Sequence, residues 1–245
     1  MPVKDRFSHQ AHQYAAFRPH YPKELFDFVF SQVKRFDQAW DAGTGNGQAA
    51  EVLATRFKQV LATDISRRQL DHAVQRDNIT YAVAGERTSL PENSVDLVTV
   101  AQAIHWLDRD AFYAEVRRVT RPGSVIAVWV YGLLRISPEM DPLIKKFYSQ
   151  VVGPYWDPER KLIDDELKTL EFPFAEVATP SFHMEVTWSL AELEGYFNTW
   201  SATQKYIRQN SINPVTDLME RLTSISPGPV HVQFPLFLRV GAIGR

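Results

Sequence analysis

The sequence of 245 residues contains no cysteine, which excludes disulfide stapling, thiolate metal ligands and cysteine nucleophiles. An excess of charge is also missing, since 27 Lys and Arg stand against 29 Asp and Glu for a formal net charge of −2. The basic residues are scattered and form no stripe of the kind that grips a phosphate backbone, so nucleic acid is not expected as substrate or partner. No stretch approaches the roughly 20 apolar residues that cross a bilayer, and the opening segment MPVKDRFSHQAHQY has no apolar signal core. The expectation is a soluble, unprocessed, cytoplasmic chain with no membrane partner. Internal repeats, low-complexity tracts and Gly/Ser linkers are absent. No His/Asp/Glu cluster has metal-ligand spacing, so no metal is expected.

What is present is ordinary for a globular chain, 44% hydrophobic and 23% charged, and long enough for one large domain with a cap. The expected division is a single domain over 1–245, with an N-terminal cap segment at 1–35, a core at 36–132, and lid helices with closing strands at 133–245. From Lys23 to Tyr131 helical and strand-like patterns alternate, which points to a parallel sheet with crossover helices. Leu25, Phe26, Val29, Phe30 and Val33 recur at helical spacing, followed by a strand over Phe36 to Asp41 and a helix over Gln48 to Phe57. Strands are expected over Val60 to Thr63, Ile79 to Val83, Val95 to Ala101 and Ser124 to Tyr131, with helices over Ser66 to Arg76 and Asp110 to Val119. Beyond Gly132 the spacing predicts a strand over Ser181 to Trp188, helices over Leu190 to Ile207 and Val215 to Ile225, and a last strand over Val230 to Val240.

The segment Asp41-Ala42-Gly43-Thr44-Gly45-Asn46-Gly47 lies between a predicted strand and a predicted helix, where glycines let backbone turn tightly and approach a ligand. A nucleotide-type ligand at the C-terminal edge of the sheet is the reading this supports. The pattern departs from the Gly-x-Gly-x-x-Gly that seats a pyrophosphate, because the third glycine comes one residue early and Asp41 precedes the first. A carboxylate there suits an ammonium group and repels a pyrophosphate. No Lys-Ser or Lys-Thr follows the loop, so phosphoryl transfer lacks its lysine and its magnesium ligand. Asp64 ends the second strand about twenty residues downstream, suited either to ribose hydroxyls or to capping the next helix.

Together, Asp41 to Gly47, Asp64 and the Arg121-Pro122-Gly123 turn ahead of a strong strand make the chain resemble the class I S-adenosylmethionine-dependent methyltransferases over Tyr14 to Tyr131. Tyr14-x-x-x-Arg18-Pro19-x-Tyr21-Pro22, Ala101-Gln102-Ala103-Ile104-His105-Trp106 and Thr199-Trp200-Ser201-Ala202 are similar to the small-molecule branch that contains trans-aconitate methyltransferase. The resemblance implies a Rossmann-like α/β fold with a seven-stranded sheet of order 3-2-1-4-5-7-6, the last strand antiparallel, and helical lid insertions. It implies S-adenosylmethionine as cofactor and a small-molecule acceptor, with a carboxylic acid and O-methylation as one possibility, in a monomer or homodimer. A nicotinamide-dependent oxidoreductase and a non-catalytic cofactor-binding protein stay as alternatives.

The cofactor residues so implied are Tyr14, Arg18, Asp41, Gly43, Thr44, Gly45, Gly47, Asp64, Ile65, Gly85, Glu86 and Gln102. Within that set the glycines pass beneath the methionine moiety, Asp41 faces its amino group, Asp64 holds the ribose and Glu86 meets the adenine edge. Gly85 departs from the alanine commoner in the family at its position. His105 stands as candidate base or substrate-orienting residue, and as its plain alternative packs against Trp106. Trp106, Tyr155, Trp156 and Trp200 join it as candidate acceptor pocket, although aromatic residues at helical spacing also build cores.

Overall fold

The structure, a computed structural model, describes residues 19–244. Its core is a sheet in which β1 (Gln38–Ala42), β2 (Gln59–Asp64), β3 (Ile79–Val83), β4 (Val95–Ala101) and β5 (Thr120–Tyr131) lie in the order β3-β2-β1-β4-β5, all parallel. The last strand, β8 (Val230–Ala242), runs antiparallel beside β5.

Alternate residues of the strands face two apolar layers, which is what period-two geometry requires of a sheet covered on both sides. Ala39, Val60, Leu97 and Trp129 pack with α1 (Lys23–Ser31) and α2 (Gln48–Leu53). Trp40, Leu61, Val98 and Val128 pack on the other side with Phe112, Val116 and Val119 of α4 (Arg109–Val119). A short α3 (Arg67–Asp71) connects β2 to β3, its first turn capped by the Ser66 hydroxyl. Among the described residues no helix is long and apolar enough to cross a membrane.

The order is the Rossmann-like one that the resemblance implies, with one correction. The sixth strand is split into β6 (Ala175–Val177) and β7 (Phe182–Trp188), both paired antiparallel to β8, so the sheet has eight strands. From Val177 to Phe182 the chain advances five residues while its partner advances four, from Val240 to Leu236. The extra residue falls in a stretch holding Pro180, which has no N–H for the ladder, and Thr179 Oγ1 donates to Leu238 O at 3.1 Å across the gap.

Other boundaries shift as well. The helices expected over Gln48 to Phe57 and Ser66 to Arg76 end early, at Leu53 and Asp71. The single helix expected over Leu190 to Ile207 is two: α7 (Leu190–Asn198), opened by a Ser189/Glu192 capping box, and α8 (Ser201–Asn210). Trp200 between them is extended, at φ −65° and ψ 131°, and Thr199 Oγ1 donates to Tyr196 O at 2.6 Å where α7 ends. Apolar periodicity continues through this break, which is why spacing alone does not reveal it. The remaining helices, α5 (Asp141–Lys146), α6 (Lys161–Asp164) and α9 (Val215–Ile225), lie in the same C-terminal part of the chain.

Arg121 to Gly123 belong to β5 instead of preceding it, and they carry a buried anchor. Asp96 on β4 accepts the backbone N–H groups of Asp37 and Gln38 at 2.9 and 3.1 Å and ion-pairs with Arg121. One carboxylate thereby fastens the entry of β1 to β4 and β5. Asp96→Ala leaves two N–H donors and a half-shielded guanidinium without their acceptor, and the expected loss is about 2–4 kcal/mol. Urea unfolding checks it, and a loss below about 1 kcal/mol, as for an exposed pair, would contradict the anchoring role.

Candidate functional site

Because β1, β2, β4 and β5 are parallel and in register, their C-terminal ends form one edge, and the chain leaves β1 there through the glycine loop. Gly43 and Gly45 sit at φ 66° and 56°, left-handed conformations that side chains rarely adopt. A Cβ on Gly43 would stand 2.5 Å from that of Ala103 beyond β4, so the loop touches that segment. A Cβ on Gly45 would meet nothing within 4 Å, so this stretch of loop borders open space.

That space is a cleft open to solvent. Gly43, Thr44, Gly45 and Asp64 line one part of it; Gln102, His105 and Trp106 line another; Trp156, Arg160, Tyr196 and Trp200 line it from the C-terminal part of the chain. Asp64 Oδ2 accepts from Gly45 N at 2.9 Å and Oδ1 from Ser66 N at 2.8 Å. An ionised carboxylate has about four acceptor positions, two on each oxygen. No group of three or more His, Asp or Glu able to hold a metal occurs among the described residues.

Asp41 lies elsewhere than expected. It is fully buried beneath the loop, off the cleft wall, where Thr44 Oγ1 donates to Oδ2 at 2.5 Å and Thr99 Oγ1 to Oδ1 at 2.6 Å. Instead of facing a ligand's ammonium, it ties the loop to β4. Burial pushes its carboxyl up to about 6, against the lowering pull of the two threonine hydroxyls.

Gln102 is at φ 56° although it is not glycine. Its Oε1 accepts from Tyr131 N at 2.8 Å and its Nε2 donates to Tyr131 O at 3.5 Å, so the side chain is spent on holding the ends of β4 and β5 together. Strain of this kind persists where surrounding contacts over-determine it. Glu86 is also occupied away from the cleft, accepting from Asp108 N at 3.0 Å. Ile65 and Gly85 adjoin one another outside the cleft lining, with a Cβ on Gly85 falling 3.9 Å from Ile65 Cγ2. Gly47 caps α2 against Tyr81. Tyr14 and Arg18 lie outside the described residues.

Of the acceptor-pocket candidates, His105, Trp106, Trp156 and Trp200 are brought together on the cleft and Tyr155 is not. Tyr155 packs against Tyr206 with ring centres 5.1 Å apart and accepts from Asn210 Nδ2 at 2.9 Å. His105 is buried with its ring 4.6 Å from that of Trp106. Trp200 contacts Tyr148, Trp156, Tyr196 and Phe197 at centroid distances of 5.6, 5.5, 5.8 and 5.1 Å. Sequence reasoning missed Arg160 and Tyr131 on the cleft wall and named Tyr21 only as part of the Tyr14-to-Pro22 motif, without a role; only the fold brings the three to the edge.

Comparison with known proteins places this geometry in context. Residues 40–128 match a family model described as a methyltransferase domain. A provisionally named methyltransferase of Dictyostelium discoideum is 33% identical over 96% of this chain and 93% of its own. A Saccharomyces cerevisiae protein, provisionally named as S-adenosylmethionine-dependent methyltransferase, is 30% identical over 50% of this chain and 44% of its own. A solved structure from Anaeromyxobacter dehalogenans, described provisionally as a type II methyltransferase, superposes with a TM-score of 0.86 at 38% identity, covering 93% of this chain and 99% of that one.

The buried Asp41 sets a pH dependence. Its folded pKa of about 6 lies above the ordinary 3.8, so between these values the folded chain binds more protons than the unfolded one, and stability falls as pH rises. Asp41→Asn removes that titration. Relative to the variant, the natural chain is expected to lose about 2.4 kcal/mol between pH 4 and pH 7. Urea unfolding of both proteins across this range checks it, and a stability difference independent of pH would contradict it.

Proposed function

Since the chain belongs to the methyltransferase family, we propose that its cleft binds S-adenosylmethionine against the glycine loop and that the methyl group passes to a small-molecule acceptor held beneath the C-terminal helices. The observation that carries this reading is the joining of an open-faced glycine loop to a carboxylate at the end of the neighbouring strand: Gly45 borders free space and Asp64 is hydrogen-bonded to it. The yeast relative's name supports the same cofactor. When bound, the cofactor supplies an electrophilic methyl on a sulfonium.

The chain's own part is placement. Asp64 accepts from ribose hydroxyls, Gly43 to Gly45 leave room for the ligand, and the adenine extends past Asp64 out of the cleft to Ile65 and Gly85. Tyr14 and Arg18 are assigned to the same cofactor from the N-terminal side. Most of the acceleration comes from holding nucleophile and methyl in line with water excluded, which is what the aromatic cover of Trp156 and Trp200 provides. A carboxylate nucleophile needs no base; a hydroxyl or ammonium nucleophile would pass its proton to His105. The whole chain acts as one unit, with small carboxylic acids as the first acceptors to try.

The nicotinamide alternative is less well supported. Asp41 no longer argues against a pyrophosphate at short range, because it is buried and bonded, but the early third glycine still does, and family membership weighs on the same side. Asp64→Ala is expected to weaken S-adenosylhomocysteine binding by about 1–3 kcal/mol through lost charge-assisted hydrogen bonds. Calorimetric titration of a variant with unchanged circular dichroism checks this, and unchanged affinity would remove Asp64 from the site.

A further inference from the structure

A cation lines the cleft with no ion-pair partner among the described residues. Arg160 closes a short 3₁₀ turn, Pro158–Arg160, and lines the cleft beside Trp156 and Ile163. Its guanidinium carbon stands 4.1 Å from the ring centre of Trp156 and 5.3 Å from that of Tyr148, and its Nε donates to Tyr148 Oη at 2.7 Å. Tyr148 in turn donates to Asp164. The head group is therefore stacked and fixed through its Nε edge, while no carboxylate among the described residues ion-pairs with it. Two acidic side chains of the same segment are engaged elsewhere, Asp164 with Tyr148 and Asp157 with Lys205 at 2.7 Å.

A guanidinium held by stacking and by one hydrogen bond keeps its Nη groups for a planar or tetrahedral anion, which it binds in fork geometry. Partial removal from water strengthens that attraction. The same placement disfavours a cationic acceptor: the face of Trp156, which would otherwise attract an ammonium, is already covered by Arg160, and like charges repel in a shielded cleft.

We propose that Arg160 is a specificity-determining residue that grips an anionic group, a carboxylate, phosphate or sulfonate, on the methyl acceptor. This rests on the methyl-transfer reading above and adds the acceptor's charge to it. An anion in this cleft has two sources, since the amino-acid end of the cofactor also carries a carboxylate. Arg160 is assigned to the acceptor because it belongs to the lid, among Trp156, Tyr196 and Trp200, and the glycine loop lies on the sheet edge.

The test uses the full chain with Arg160→Met and Arg160→Lys. Calorimetry with S-adenosylhomocysteine separates the two sources: affinity within about twofold of the natural chain is expected in both variants, and a tenfold loss would hand Arg160 to the cofactor and overturn the proposal. Failure of the natural chain to bind S-adenosylhomocysteine would instead sink the methyl-transfer reading. Transfer of labelled methyl is then followed over small carboxylates, phosphates and sulfonates, each paired with a neutral amide or ester and an amine of the same carbon skeleton. Anionic members are expected to be methylated in preference, with kcat/KM falling about 10- to 100-fold in Arg160→Met. Neutral partners should change less than threefold, and Arg160→Lys should recover part of the loss. Methylation of amines or neutral compounds in preference, of no anionic member, or an equal loss for charged and neutral acceptors would overturn the proposal.

Discussion

The way the chain turns out of β1 governs the arrangement of the whole sheet edge. Gly43 packs so closely on Ala103 that no side chain fits between them, and Gly45 is held by the carboxylate of Asp64. Beneath both, Asp41 is fully buried with its oxygens on Thr44 and Thr99. A left-handed loop costs free energy that local sequence does not recover, so the loop keeps its shape because three strands hold it. Gln102 repeats the device on the other side, trading a strained backbone for two bonds to Tyr131. The rim of the cleft is thus fixed by hydrogen bonds made in the protein itself and needs little reorganisation to receive a ligand.

Over this rim the lid supplies aromatic bulk. The extended residue Trp200 interrupts what would otherwise be one helix and drives its indole among Tyr148, Trp156, Tyr196 and Phe197. Thr199, Trp200 and Ser201 consequently sit on the cleft wall, where a continuous helix would carry its side chains past the opening. Arg160 lies against the same cluster, so the cover combines apolar shielding with one positive charge.

The parallel core was readable from the chain because its signals are local. Val95 to Ala101 is apolar but for Asp96 and Thr99 and is buried almost throughout, and the glycine loop lies between a strand and a helix as its spacing implies. Long-range pairing was not readable: the split of the sixth strand depends on where β8 offers partners, and only Pro180 hinted at it. At the site, Asp64, Gly45 and Trp200 were legible from position after a strand, from the glycine pattern and from the family motif. Asp41 and Glu86 were misplaced because sequence gives a residue's position at a strand end without telling whether its side chain turns toward the cleft or the interior. Arg160 was missed altogether, since its significance comes from Trp156 and Tyr148 stacking on it.

The most direct test of the account is a pair of calorimetric titrations of the unmodified chain, one with S-adenosylhomocysteine and one with NADH. Micromolar binding of S-adenosylhomocysteine at one site per chain, with no heat from NADH, is the predicted result. Binding of NADH, or of neither compound, would contradict the claim that the cleft at this sheet edge is built for a sulfonium methyl donor.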